Sequence, residues 1–308
     1  MRPGWSAGGV RAQAMARRRY GAAAARALAA SPSLDVAIQV LAGGPYGHDV
    51  RAGQTLAEAQ HAVAATLLWH LRVLAAWVPR DGVVLLRSVA AGFELANLEA
   101  WLRARRQPEP ADPVPAFRLG ALGTTLGRRI HDQRPPDAVR ATLVSSGWGD
   151  PGAETDYAIG LHLRLEWARR CAPELPEHWV PGAVAVLVAR EHYGAGRAPA
   201  GAARRTATLL LGRSALEAPT LEAFRAALPR LAAWALADAG DVGSLWRAES
   251  TWRRRVEADS VRELRRGPLD RTALVAACAV LAVDAWRVRA ALAAAARGGA
   301  VEAFDDVA

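Results

Sequence analysis

One helical segment occurs twice, and this sets the strongest limit on what the chain can fold into. The first copy is Phe93-Glu94-Leu95-Ala96-Asn97-Leu98-Glu99-Ala100-Trp101-Leu102-Arg103-Ala104, and a reduced copy is Asp284-Ala285-Trp286-Arg287-Val288-Arg289-Ala290-Ala291-Leu292-Ala293-Ala294. Glu94 aligns with Asp284, Leu98 with Val288, Ala100 with Ala290 and Leu102 with Leu292. An acid and an apolar stripe thus keep the same helical offsets, the mark of a scaffold built from one repeated helical unit.

Helical periodicity dominates elsewhere too. Val63, Leu67, Leu71, Leu74 and Val78 recur at three and four residues behind a Thr55/Glu58 capping box, which predicts an amphipathic helix. After the turn at Pro79 to Gly82, a second helix is expected through Leu85, Val89, Phe93, Leu98 and Leu102 until Pro108 and Pro110, packed on the first as an antiparallel hairpin. Further helices are expected at Val114–His131, Pro136–Ser145, Thr155–Cys171, Pro181–Tyr193 and Val242–Arg265. One more is capped by Thr220 and kinked or interrupted at Pro229. The clearest starts behind Asp270, carries Leu274, Cys278, Leu281, Ala285, Val288 and Leu292, and stops at Gly298-Gly299. Strand signals are nearly absent, so the expected class is all-α.

The 308 residues suffice for two or three packed units. Three are expected: residues 1–107 with the hairpin, a middle unit at 108–200 and a C-terminal unit at 201–308 with an acidic tail at Asp305-Asp306. No lysine occurs, so all 39 basic residues are arginine. A P-loop and a Schiff-base enzyme are thereby excluded, since each needs an amine. The net charge of +9 admits a nucleic-acid-binding protein as an alternative. Against it, the arginines are interleaved with Glu94, Glu99, Glu249, Glu257 and Glu263, and the pairs Arg105-Arg106 and Arg265-Arg266 fall at expected helix ends, where cations favour the macrodipole.

Cys171 and Cys278 are too few and too distant for a disulfide framework and fit a reducing cytoplasm. His70 with Arg72, and Asp284, interrupt the longest apolar runs below the roughly 18 residues of a membrane span. The acid-free, Arg-rich start is read as a first structural helix. Glu177-His178, Glu191-His192, His48, His61 and His70 lack metal-ligand spacing on one helix face, and no nucleophile and base stand together. No catalytic residue, metal site or cofactor is therefore expected. Most of the 11 tryptophans, among them Trp69, Trp77, Trp101, Trp167, Trp234, Trp252 and Trp286, are expected to fill gaps between helices.

Read in order, Val10-Arg11-Ala12, Arg17-Arg18-Arg19, Leu41, Pro45-Tyr46-Gly47, Leu56 with Glu58, the helix ending near Trp77, and the Phe93–Arg103 segment form one pattern. That ordered set resembles the C subunit (AC39, or d, family) of V-type and archaeal-type rotary ATPases, as a divergent bacterial member. The match covers the first hundred residues well and about Val242 to Arg297 moderately. The resemblance implies a non-catalytic, funnel-like subunit with pseudo-threefold repetition of helical bundles. It would lie in the central stalk, between the membrane proteolipid ring and the central axle of a proton- or sodium-translocating ATPase. It further implies a cytoplasmic protein held at the inner face of the membrane through the ring, with no nucleic acid as partner. Arg11, Arg17, Arg18 and Arg103 are the expected partner contacts. The middle unit departs from the family pattern: Glu191-His192-Tyr193-Gly194-Ala195-Gly196-Arg197 keeps a glutamate but lacks the following aspartate and the Asn-Leu pair.

Overall fold

The structure, a computed structural model, describes residues 4–106, 114–123, 139–152, 155–267, 269–299 and 301–305. Among these residues no strand occurs and the protein is all-helical. In chain order the helices are α1 (Trp5–Arg17), α2 (Ala22–Ala29), α3 (Leu34–Ala42), α4 (Leu56–Ala75), α5 (Arg80–Arg106), α6 (Val139–Val144), α7 (Asp156–Cys171) and α8 (Trp179–Val188). They continue as α9 (Gly201–Leu211), α10 (Arg213–Leu216), α11 (Leu221–Ala227), α12 (Arg230–Ala233), α13 (Leu245–Arg266), α14 (Arg271–Ala295) and α15 (Val301–Asp305).

The chain forms two compact units. Unit 1 is Met1–Leu86 with Glu109–Phe117 and Val256–Ala308; unit 2 is Arg87–Pro108 with Arg118–Arg255. Of the passages from one to the other, two fall within α5 and α13.

In unit 1, α14 is the central element, and α1, α2, α3 and α4 all pack on it. The apolar spacing predicted a single buried stripe at Leu274, Cys278, Leu281, Ala285, Val288 and Leu292, and these residues are buried. So are Ala273, Ala276, Ala277, Ala291, Ala294 and Ala295 around the other faces, because a helix apolar on every side must be enclosed by others. Asp270 starts α14 by accepting hydrogen bonds from the Thr272 and Ala273 amides at 2.8 and 3.4 Å. The capping box of α4 forms as the sequence predicts, with Thr55 N donating to Glu58 Oε2 at 2.8 Å. Leu28, Ile38, Leu41 and Val63 meet Val288, Leu292 and Phe304 in one core.

Two core clusters of unit 2 lie among the described residues. Leu95, Leu98 and Leu102 of α5 pack with Leu143, Trp148, Ile159 and Leu163. A larger one joins α7, α8 and α9 to Phe224, Leu236 and Leu245. The chain leaves the helix at Leu228 and Pro229, both extended, so Pro229 interrupts rather than kinks it.

The helix expected over Val114–His131 is not formed where it is described. Residues 114–119 carry no regular structure and are followed by a single 3-10 turn, Gly120–Leu122; residues 124–131 lie outside the described set. Pro115 disfavours a helical conformation at Val114, and Gly120 and Gly123 bracket the short turn. The helix expected at Pro181–Tyr193 begins earlier, at Trp179, and ends in a π turn over Ala189–Gly194. The helix expected after the Pro79 turn is present as α5, ending at Arg106.

Candidate functional site

Asp284 sits in the middle of the apolar α14 and is fully buried. Such a carboxylate must be given donors, since burying an unpaired charge is far costlier than any contact it could gain. Gly21 N donates to Oδ1 at 2.7 Å, and Tyr20 N and Tyr46 Oη donate to Oδ2 at 3.0 and 2.9 Å. Gly21 is the N-cap of α2, with φ of 84° and no cap from its own side chain. Only glycine adopts that conformation readily, and it aims two consecutive amides at the carboxylate. Asp284 thus anchors the entry to α2, where a negative charge is also favoured by the helix dipole. Burial, and then the Asp284 charge, push the Tyr46 phenol well above its ordinary range, so it stays a donor.

Above this node lies a cavity of about 430 Å³, lined among others by Arg11, Arg18, Arg19, Tyr46, His70 and Asp284. His48 stacks on Trp69 with centroids 4.3 Å apart, and Trp69 meets His70 at 5.1 Å. Burial lowers His70 to about 4, with the neighbouring His48 and Arg18 pushing the same way. Arg19 Nη1 donates to the Ala16 carbonyl at 3.0 Å, whereas its buried Nε has no acceptor.

The other copy of the repeat, in unit 2, has the same character. Glu94 is fully buried and accepts from Trp148 Nε1 at 2.7 Å. Trp148 is itself 1% exposed, with the Arg170 guanidinium 4.1 Å over its ring and its carbonyl 3.0 Å from His162 Nε2. Three residues beyond each acid a second polar side chain is buried, Asn97 after Glu94 and Arg287 after Asp284. Arg287 holds Glu257 through two nitrogens, at 2.6 and 3.2 Å. Leu98, Leu102, Val288 and Leu292 are buried as the alignment requires, while Ala100 is exposed. The middle acid, Glu191, lies in the π turn and pairs with Arg197 at 3.0 Å and Arg164 at 3.5 Å.

Of the four arginines singled out by the sequence, Arg11 and Arg18 come together on the unit 1 cavity, and Arg11 also lies 4.8 Å over the Trp77 ring. Arg17 is exposed on α1 away from the cavity lining. Arg103 belongs to unit 2, where it edges a smaller pocket with Glu99, Arg164 and Glu191. Asp305, expected in a solvated tail, ends α15 and takes a two-pronged hydrogen bond from Arg26 at 2.8 and 2.9 Å; Asp306 lies outside the described residues.

Sequence reasoning missed Tyr20, Gly21 and Trp148. Backbone donors leave no trace in side-chain pattern, and Trp148 stands in a run of helix breakers that reads as an exposed loop. The one available signal was Asp284 itself, an acid inside an otherwise apolar stripe. Chemically the site can hold charge; away from it, burial raises both Cys171 and Cys278 to about 12, so these thiols carry essentially no thiolate at neutral pH. Among the described residues no three histidine, cysteine, aspartate or glutamate side chains converge as a metal site. None of the described helices is long and apolar enough to cross a membrane. No family model and no characterised protein matches the chain.

Proposed function

We propose that this chain is a non-catalytic central-stalk subunit of a V-type or archaeal-type rotary ATPase, coupling the proteolipid ring to the central axle. The observation that carries the reading is the recurrence of one helix in which the aligned acids, Glu94 and Asp284, are both wholly buried and both accept hydrogen bonds from elsewhere in their own unit. Exposed helices drift in sequence, whereas a buried acid with fixed donors holds a packing solution in place. Its use twice supports descent from a repeated unit, and Glu191, roughly midway between them and also paired, supports a third, diverged copy and hence a pseudo-threefold plan. A torque-transmitting part needs stiffness, which close-packed helices supply.

The nucleic-acid reading is the weaker one. Its arginines would have to be available to phosphates, yet many are committed to carboxylates, as in Arg169 with Glu166, Arg190 with Glu249 and Arg287 with Glu257. Affinity purification of the tagged chain from solubilised membranes tests the proposal. Proteolipid and axle subunits in the eluate support it; their consistent absence, with the chain folded, overturns it.

A further inference from the structure

Two sets of arginines stand out in unit 1. Arg26, Arg262, Arg266 and Arg287 each contact a carboxylate, at 2.6 to 3.1 Å. Arg11, Arg18 and Arg19 share the rim and wall of the 430 Å³ cavity, and among the described residues none of them has a carboxylate partner. Asp284, the acid in the lining, is already occupied by Tyr20, Gly21 and Tyr46. Nearby Asp49 is likewise engaged, by His48 Nδ1 at 2.8 Å and Thr66 Oγ1 at 2.9 Å.

Three guanidiniums against the carboxylates of Asp284 and Asp49 leave a net positive charge at a cavity of the size that takes small ligands. Arg19 adds a second, independent pointer, for its Nε is buried and without an acceptor, and an unsatisfied buried donor is ordinarily answered by a partner. Guanidinium forks match the oxygens of phosphate in planar pairs. Trp69, stacked with His48 beside His70, gives the cavity an apolar aromatic wall against which a carbon skeleton can lie.

We propose that this cavity binds a small phosphate monoester in its dianionic form, with Arg11, Arg18 and Arg19 on the phosphate and the Trp69 side of the cavity on the organic part. The surplus positive charge favours an anionic ligand there. The site lies wholly within unit 1 and does not depend on the rotary reading.

The test is calorimetric titration of the full chain at low salt with glycerol 1-phosphate, inorganic phosphate and succinate, alongside phosphorus NMR line broadening. The expected result is saturable binding of one glycerol phosphate per chain, weaker binding of phosphate alone and no saturable binding of succinate. Arg18→Gln and Arg19→Gln should each weaken it about tenfold to hundredfold. Arg17→Gln, on the same helix but off the cavity, should leave it unchanged. Arg18 is exposed, so its variant separates binding from any folding defect in the Arg19 one, and circular dichroism checks both. Absence of saturation, equal loss with Arg17→Gln, or succinate binding as tightly as glycerol phosphate would each overturn the proposal.

Discussion

Asp284 shows how one side chain can tie distant parts of the sequence together. Its three donors come from residues more than two hundred positions away. Asp284→Ala strands two amides and a phenol without an acceptor, and is expected to lower stability by about 3 kcal/mol or more, whereas Tyr46→Phe removes one donor and should lower it by about 1 kcal/mol. Urea unfolding of the two variants measures this, and near-equal midpoints would show that the carboxylate is not the organising group. Trp148→Phe is the corresponding change in unit 2, withdrawing the indole donor from Glu94 at an expected loss of about 1–3 kcal/mol. His70 and His61 are both held below the ordinary histidine range by burial, His70 at about 4. The unfolded chain takes up a proton at His70 below about pH 6.5 while the folded chain does not. Stability should therefore be whole above that pH and decline as pH falls towards 4, by up to about 3 kcal/mol. Unfolding midpoints between pH 7 and 4.5 should slope downwards, and His70→Gln should flatten the slope.

At the scale of elements, what the sequence made legible followed the strength of local signals. Helices α4 and α14 carry a cap, a long apolar period and a stop, and each was readable to within a few residues. Helices α2 and α3 were not, because eight or nine residues contain too few turns to display a period; their burial against α14 supports them as helices. The acid of the candidate site was visible in the sequence, and so was the Tyr46 turn, but their meeting is a tertiary contact 238 residues apart in sequence, and the Tyr20 and Gly21 amides leave no side-chain signal. Close approach also decides how glycines respond to change. A Cβ at Gly92 in α5 would stand 2.7 Å from the Trp167 ring, which is held in place by its Nε1 donating to the Ser88 carbonyl at 2.9 Å. A Cβ at Gly160 in α7 would meet nothing within 4 Å. Gly92→Ala is thus expected to destabilise by about 1–3 kcal/mol, and Gly160→Ala to stabilise by up to about 1 kcal/mol through helix propensity. Thermal melts of the pair should move in opposite directions.

At the scale of the whole molecule, unit 1 draws on both ends of the chain, with α1 to α4 from one end laid on α14 from the other. On the ribosome this arrangement imposes a wait. The first four helices leave the tunnel with their apolar faces uncovered, and α14 follows only after the whole of unit 2 has been made, a delay of roughly 10–40 s at ordinary rates of synthesis. Unit 2 has no such gap and can settle while the nascent N-terminal helices stay open to chaperones. A chain interrupted before Asp270 would emerge with unit 2 complete and α1 to α4 still lacking their central helix, and should be cleared by proteases from the N-terminal side first.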